Sequence, residues 1–514
     1  MTKTIGLKRQ VMIAALGAAL AVLSACSAEP EPEAAASPTG APVKEAPVTI
    51  KMMANFSTAN ISEADKAFFQ KVEEANNVKL EFTVPPSSGY QEQLQLMMVS
   101  GDHPDVVFFP GATNTTFLNA VNGGMVIPLN SYLEKAPNIK EYSYEVSLEG
   151  LKVKQDGNIY GIPRTTIARN DHFIVRKDWL DKLGYKIPDN HEVSIDQFTE
   201  ILRKFTQDDP DGNGKKDTYG FAAHLNSSKV LTPVLSSQWG YMGWQPSKGE
   251  YGYMTAEYDR SSGAYKDLLA YTQKLYKEGL LDPDSAVNDS NAALQRFKKG
   301  ITGVLRGFAG HVSSNEAEMK ALNPQAELTY LFVQNQDGKV QGATQGTALY
   351  GLWGITKSAK HPEKIIQVMD WLLSDEGWDY VYYGMENVDY KVENGIKVYD
   401  PNAKAPWRQS VVRRARDGDF FIAPSLPQKE RDMIKPWVDK AVESVIFSQD
   451  RGYVPPASKK QAFLDYKLTW DELVTKIMIG ERPVEDFDKV LADWYKHGGE
   501  EYVKEMNEFI ASIQ

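Results

Sequence analysis

Residues 209–217 have the types and the spacing of a cation-binding loop. They read DPDGNGKKD, which follows the pattern D-x-[DN]-x-[DN]-G of calcium loops and adds an acid at the ninth position. A hard cation needs several oxygen ligands from a tight turn. The spacing therefore predicts a structural Ca²⁺ site. Its expected ligands are Asp209, Asp211, Asn213, the backbone carbonyl of Lys215, and Asp217.

The loop departs from the calcium pattern at its end. The twelfth position is Gly220, so the usual bidentate Glu is missing, and Thr218 stands where an acid is common. A shortened loop or a ligand from elsewhere must complete the shell. The alternative is a metal-free turn stabilised by its own Asx side chains. Nothing nearby indicates hydrolysis, so any calcium would be structural.

Cys26 is the only cysteine, and it closes an N-terminal segment with a signal-peptide layout. A basic start with Lys3, Lys8 and Arg9 precedes an apolar run over 11–23. That run is shorter than the ~20 residues that a helix needs to cross a bilayer. The sequence LSAC at 23–26 resembles the lipobox of bacterial lipoproteins. This resemblance implies removal of residues 1–25 and acylation of Cys26, for example with palmitate; the alternative is a plain signal peptide.

The segment that follows Cys26 has the composition of a tether. Residues 27–47 are rich in Pro, Ala and Glu and contain almost no large apolar side chain. Such a segment cannot bury enough surface to fold, and proline-rich linkers act as extended spacers. We expect 26–47 to hold the folded body off a membrane.

The composition restricts the classes of function. A chain of 514 residues with 42% hydrophobic residues is expected to form two or more lobes. The net charge of −11 argues against nucleic-acid binding, and lipidation of Cys26 would leave no thiol for a disulfide. The acidic surface argues against a strongly anionic ligand, although net charge does not determine the potential of a cleft.

The first hundred residues of the body alternate between strand and helix patterns. Strands are predicted at 48–53, 78–84 and 104–109, with helices at 62–77 and 90–100. Ser62 can cap the first of these helices. This alternation indicates an α/β lobe with a largely parallel sheet.

Sequence blocks in this region resemble those of extracellular solute-binding proteins of ABC importers, family 1. The run YQEQLQLMMVSGDHPDVVFF at 90–109 is similar to the helix-SGD-PD-strand block of that family. Further similar blocks follow in order at 122–129, 156–163, 175–184 and 382–390, and the resemblance extends from about 48 to 514. The chain looks most like the large members that bind polysaccharide fragments such as those of alginate and pectin.

The resemblance implies a periplasmic-binding-protein-like α/β fold, in which two lobes are joined by a hinge and hold the ligand in the cleft between them. Carried onto this chain, lobe 1 would comprise 48–165 plus 300–355, and lobe 2 would comprise 166–299 plus 356–514. A crossing between lobes is expected within 163–176, where an apolar strand passes into polar residues and then resumes. The large relatives also carry calcium in a loop like 209–217.

Candidate ligand contacts come from the chemistry of sugar recognition. Sugars are bound by aromatic faces and by planar polar side chains, and Trp and Tyr supply rigid contact area at small entropic cost. Three aromatic loop regions, 238–244, 346–353 and 382–390, have this character, and an arginine follows each of two buried strands. Packing in the core, or a surface ion pair, is the alternative for each residue. The candidates are Arg164, Trp239, Tyr241, Trp244, Arg306, Trp353, Glu386 and Tyr390.

These patterns favour a binding protein over an enzyme. We expect a monomeric, lipid-anchored receptor on the outer face of the cell membrane, which captures an oligosaccharide and delivers it to the transmembrane subunits of an ABC permease. In a host with an outer membrane, this face would be periplasmic. An extracellular carbohydrate enzyme is one alternative, but no motif for a nucleophile, base or catalytic metal stands out. A lipid-anchored sensor or adhesin with the same fold is another.

Overall fold

The computed structural model describes residues 46–513, apart from 57–59, 155, 166–170, 224, 226–230, 394–395, 400–406 and 416–417. The chain from Pro47 onward forms one compact unit. The signal segment, Cys26 and nearly all of the linker lie outside the described residues. No described helix is both long enough and apolar enough to cross a membrane.

The first sheet has five strands in the order β2-β1-β3-β13-β4. Strand β1 pairs in parallel with β2 and β3, and β13 runs antiparallel between β3 and β4. The alternating pattern predicted its first three strands correctly. The five strands are β1 Val48–Met53, β2 Val78–Thr83, β3 Val106–Phe109, β4 Ile162–Thr165 and β13 Leu349–Ile355.

The second sheet also has five strands, in the order β6-β11-β5-β10-β7. Its central strand, β5, is fully buried and pairs antiparallel with both neighbours, while the two edge strands pair in parallel. The five strands are β5 Asp171–Arg176, β6 Glu192–Ser194, β7 Tyr219–Phe221, β10 Thr302–Phe308 and β11 Leu328–Gln334. Six short strands form two-stranded pairs: β8 Gln245–Pro246 with β9 Tyr253–Met254, β12 Thr344–Gln345 with β16 Ile446–Phe447, and β14 Tyr390–Glu393 with β15 Ile396–Tyr399.

Helices cover both sheets. The sequence of the first helix, Glu63–Asn76, explains why it forms. Ser62 caps its N-terminus and forms a reciprocal capping box with Asp65. Its apolar face is buried through Phe68, Phe69 and Val72. The α-helices of the first 260 residues are α1 Glu63–Asn76, α2 Tyr90–Ser100, α3 Thr115–Asn122, α4 Asn130–Leu133, α5 Pro137–Glu141, α6 Glu145–Glu149, α7 Lys177–Lys182, α8 Ile195–Gln207 and α9 Pro233–Ser236. The remaining ones are α10 Ala264–Lys277, α11 Ser290–Lys298, α12 Val312–Lys320, α13 Pro362–Leu373, α14 Asp375–Tyr382, α15 Arg408–Val411, α16 Gln428–Glu443, α17 Gln461–Met478, α18 Asp486–Trp494 and α19 Glu500–Ser512.

Each sheet has its own hydrophobic core, which confirms the expected two-lobed α/β fold. The first core runs from Ile50 to Ile162 and continues from Leu352 to Val412. The second lobe contains two clusters, one on each face of its sheet, built from residues between Phe173 and Ile510. We call these halves the first lobe and the second lobe.

Sheet membership differs from the lobe boundaries expected from sequence. Strands β10 and β11, which fall within the stretch 300–355 expected in lobe 1, pair with β5 in the second sheet. Helices α13 and α14, expected in lobe 2, pack in the first core. The physical reason is that a buried apolar strand looks the same in either sheet, so only its hydrogen-bonding partners decide where it lies.

The chain passes between the lobes three times. Strand β4 of the first sheet ends at Thr165 and β5 of the second sheet begins at Asp171, so the first change of lobe falls within the expected range 163–176; its residues 166–170 lie outside the described residues. The second joins β11 to β13, and the third runs from α15 to α16. Side chains outside these passages also join the lobes: the rings of Tyr144 and Phe447 lie 4.9 Å apart.

Candidate ligand-binding site

Three residues mark the points where the chain leaves or enters the first lobe. Arg164 is the last residue but one of β4, and Tyr350 is the second residue of β13. Arg413 follows α15 by two residues. Because each belongs to a different passage, the fold gathers at the hinge three residues that are far apart in sequence.

A β-bulge presents Tyr350. The register between β13 and β4 shifts between Leu349 and Leu352, and Gly351 has φ +118°. A Cβ on Gly351 would lie 2.2 Å from Cζ of Phe108, so only glycine lets the strand lie on that ring. The bulge redirects the neighbouring side chain, as bulges near binding sites commonly do. The Tyr350 residue is 57% exposed although it belongs to a largely buried strand.

Arg164 and Arg413 lie against this ring. The guanidinium carbons of Arg164 and Arg413 are 4.9 and 5.0 Å from the Tyr350 ring centroid, and Arg164 is also 5.7 Å from that of Phe108. Burial and the neighbouring charge of Arg413 lower the pKa of Arg164 to about 9. Burial also lowers the pKa of Arg413. Two guanidinium groups beside one aromatic ring can bind an anionic or polyhydroxylated ligand.

The aromatic run 238–244 belongs to the second lobe. Trp239 is half-buried, and its ring lies 4.6 Å from that of Tyr271. Tyr241 is half-buried beside Tyr265, and the charge of Glu257, together with burial, raises the pKa of Tyr241. Trp244 is 4% exposed and packs in the second core.

A pocket of about 400 Å³ opens next to this run, and Tyr241 lines it. Rings from distant elements complete its wall. Its other aromatic residues are Tyr258, Tyr265, Tyr453, Phe463, Trp470, Trp494 and Tyr502. The pocket is lined by residues of the second lobe alone.

The other predicted contacts occupy three further places. Trp353 is 1% exposed in the first core, where its Nε1–H donates to the carbonyl of Val411 at 2.9 Å. Arg306 forms an ion pair with Asp171 at the edge of a pocket of about 240 Å³. A ligand role for these two residues stays a prediction that their packing does not favour.

Glu386 and Tyr390 lie at the start of the β14–β15 hairpin, where they form an isolated β-bridge. Glu386 is exposed and Tyr390 is half-buried, with its ring 5.4 Å from that of Tyr399. Burial and the charge of Glu386 raise the pKa of Tyr390. The structure therefore distributes the eight predicted contacts over five places: Arg164 at the hinge, Trp353 in the first core, the 238–244 run, Arg306, and this hairpin.

Sequence reasoning did not select Tyr350 and Arg413. Tyr350 stands in the aromatic region 346–353, from which the sequence analysis names Trp353 alone as a candidate. The adjacent Gly351 was the available signal, because glycine in a strand often marks a bulge. Arg413 follows a short helix and carries no pattern of its own.

The side chains of the 209–217 loop converge. Nδ2 of Asn213 donates to Oδ2 of Asp211 at 2.8 Å and to Oδ1 of Asp217 at 3.1 Å. Burial, a hydrogen bond with Asp209 and the charge of Asp217 raise the pKa of Asp211. Asp209 accepts the backbone N–H groups of residues 212–214. The described residues contain no group of three or more His, Cys, Asp and Glu side chains arranged for a metal ion.

The missing twelfth-position acid has a packing explanation. Gly220 lies against α8, and a Cβ there would be 2.7 Å from Cβ of Leu202 and 2.8 Å from its Cα. Its N–H donates to the hydroxyl of Thr206 at 3.0 Å. No side chain fits at this position, so a carboxylate from Gly220 is sterically excluded.

The chain is similar in sequence and fold to known bacterial binding proteins. A family model described as bacterial extracellular solute-binding protein matches residues 57–377. The polygalacturonan/rhamnogalacturonan-binding protein YtcQ of Bacillus subtilis (strain 168) is 24% identical over 460 residues, which are 85% of this chain and 87% of that protein. Lipoprotein LipO of the same organism is 25% identical over 486 residues, 90% of this chain and 92% of LipO. The crystal structure of alginate-binding protein AlgQ2 without calcium ion has a TM-score of 0.60 at 22% identity, covering 91% of this chain and 99% of that one.

Proposed function

The chain belongs to the family of bacterial extracellular solute-binding proteins, and from this premise we propose that it is the lipid-anchored substrate-binding component of an ABC transporter. It captures a carbohydrate, most simply an oligosaccharide, between its two lobes. The lobes close on the ligand, and the complex delivers it to a membrane permease.

The observation that carries this proposal is the meeting of the three passages between lobes beside an exposed aromatic ring. Two lobes that have separate cores and are joined by these passages can close by rotation about the joining segments. The exposed face of Tyr350 at that hinge offers the flat apolar contact that stacks on a sugar. The polygalacturonan-binding relative and the alginate-binding structure support a carbohydrate ligand.

A binding role predicts ligand affinity without turnover. An oligosaccharide that fits should raise the melting temperature of the protein and remain chemically intact after incubation, because a receptor releases its ligand unchanged. Tyr350→Ala should weaken binding about tenfold, the equivalent of ~1.4 kcal/mol. Thermal shift and calorimetric titration over a panel of oligosaccharides, with chromatography of the recovered sugars, measure both effects.

Leu96→Ala is the control, because Leu96 lies in the same lobe and is 58% exposed, close to the 57% of Tyr350. It should leave the affinity unchanged. Release of shorter saccharides by the wild-type protein would contradict the proposal and favour an extracellular carbohydrate enzyme.

The loop 209–217 supports a structural Ca²⁺ site within this function. The carboxylates of Asp211 and Asp217 both contact the side-chain amide nitrogen of Asn213. A flip of that amide would place its oxygen, instead of its nitrogen, beside the two carboxylates. A divalent cation there would also offset the burial, the hydrogen bond with Asp209 and the charge of Asp217 that raise the pKa of Asp211. Asp211, Asn213, Asp217 and the carbonyl of Lys215 would hold the ion, with Asp209 shaping the turn.

Removal of calcium is therefore expected to destabilise the protein. At free Ca²⁺ a hundred times above Kd, the ion would contribute about 2.7 kcal/mol, which excess EDTA should abolish. Differential scanning calorimetry with and without EDTA measures the loss. Asp217→Asn should show a smaller response, while the exposed turn variant Asp337→Asn should respond like wild type. Equal melting temperatures with Ca²⁺ and with EDTA would eliminate the site.

Acylation of Cys26 would hold the receptor near its permease. The lipobox-like LSAC and the similarity to lipoprotein LipO support this part of the proposal. A single lipid chain binds membranes only marginally, so stable anchoring needs the two or more chains of a modified lipoprotein terminus.

Fractionation of a Gram-positive expression host tests the anchor. Wild type should sediment with the membrane, and Cys26→Ala should appear in the medium, because the acyl acceptor is removed. Ser27→Ala keeps the thiol and should stay with the membrane. Membrane retention of Cys26→Ala would show that another feature anchors the protein.

A further inference from the structure

Glu257 brings a carboxylate into the aromatic pocket of about 400 Å³ in the second lobe. It lies in a short turn, Ala256–Tyr258, and is half-buried. Burial raises the pKa of Glu257, although the hydroxyl of Thr255 donates a hydrogen bond to it. Within the described ranges, no lysine, arginine or histidine forms an ion pair with Glu257 or acts on its pKa.

Other acids in the second lobe have a cationic partner. Asp171 is 1% exposed and pairs with Arg306. Asp471, which also lines the pocket, pairs with Lys467 at 2.9 Å. Such pairing is the rule, because desolvation penalises an isolated charge. Among the described residues, Glu257 is an exception to it.

Aromatic rings from separate parts of the second lobe lie close to this carboxylate. Burial and the charge of Glu257 raise the pKa of Tyr258 and that of Tyr502. The same charge, together with burial, raises the pKa of Tyr241. Tyr258 also stacks on Trp494, with ring centroids 4.0 Å apart and ring planes within 6° of parallel. The phenols therefore stay uncharged, and the packed rings form an electron-rich wall.

This combination of groups suits an ammonium ion. The face of a Trp or Tyr ring attracts a cation placed within about 6 Å, and the attraction grows when the site is desolvated. A protonated amine also donates a charge-assisted hydrogen bond to a carboxylate and cancels its charge. A sugar hydroxyl can donate the hydrogen bond but leaves the charge in place, so it offsets less of the cost of burial. The volume of the pocket fits a small molecule.

We propose that this pocket, which we call the Glu257 pocket, binds a protonated amino group, which contacts the Glu257 carboxylate and the aromatic rings that line the pocket. The amino group belongs either to an amino sugar or to a free small amine. This site goes beyond the proposed function, because its lining rings all belong to the second lobe and binding needs no closure of the two lobes.

Matched pairs of ligands test the Glu257 pocket in the wild-type protein. Calorimetric titrations at neutral pH compare glucosamine with glucose and cyclohexylamine with cyclohexanol, since each pair differs in its amino group. At least one amine should bind about tenfold more tightly than its neutral partner, as expected for a cation on aromatic rings and a carboxylate. A preference for glucosamine alone identifies an amino sugar as the ligand, and a preference for cyclohexylamine alone identifies a free amine.

The variant Glu257→Gln assigns the preference to this pocket, because it removes the charge and keeps the size of the side chain. It should abolish the preference for the amine and leave binding of the neutral partner unchanged. Glu250→Gln changes an exposed glutamate between β8 and β9 and should keep the wild-type preference. If Glu257→Gln does not fold, Glu257→Asp retracts the charge by one methylene group and should weaken binding of the amine alone.

The outcomes separate this inference from the proposed function. Equal affinities within both pairs, or binding of none of the four compounds, overturn the Glu257 pocket and leave the carbohydrate receptor in place. An unchanged preference in Glu257→Gln contradicts the assignment to Glu257, and so does loss of the preference in Glu250→Gln, which would show a general effect of charge. Amine binding by a protein that binds no oligosaccharide would support this site and overturn the proposed function.

Discussion

The antiparallel insertion of β13 between β3 and β4 is the constraint on which the rest of this structure depends. The chain completes the second sheet with β10 and β11 before it returns to finish the first. Each lobe is therefore built from separated stretches of sequence, and the described residues that flank the connections, Arg164, Tyr350 and Arg413, lie close together. Their proximity creates both the hinge and the place where residues from different passages meet.

Strand β13 also determines which side chains meet at the hinge. Its bulge at Gly351 exposes Tyr350, while Trp353, two residues further on, stays in the core and hydrogen-bonds to Val411 just before the third passage. This bond ties the strand to the segment that carries Arg413. The position of the two arginines beside Tyr350 thus follows from backbone pairing and from one glycine.

Local elements could be predicted from the sequence because their causes are local. Ser62 and Asp65 mark a helix start in any context, and the helix predicted at 90–100 is found at Tyr90–Ser100. The turn at 209–217 is likewise a local feature, because its Asp and Asn side chains bond to neighbouring residues of the same loop. The assignment of β10 to a sheet depends on pairing with a strand more than a hundred residues away, which no local pattern encodes.

The site was harder to predict than the fold. Arg164 was selected because it follows a buried strand, and the structure indeed places it at the hinge. Trp353 was selected for its chemistry, yet its position in the register of β13 directs it into the core. Arg413 lacks any sequence signal, because its importance comes from the charge of a residue about 250 positions earlier.

The central claim is that the two lobes close on a saccharide. It is tested most directly by a distance between spin labels, one in each lobe, with and without a bound oligosaccharide. Leu96→Cys and Leu468→Cys offer exposed positions on α2 and α17, and Cys26→Ala leaves them the only thiols. The account predicts a shorter, narrower distance distribution when a saccharide binds. An unchanged distribution at saturating ligand would contradict it.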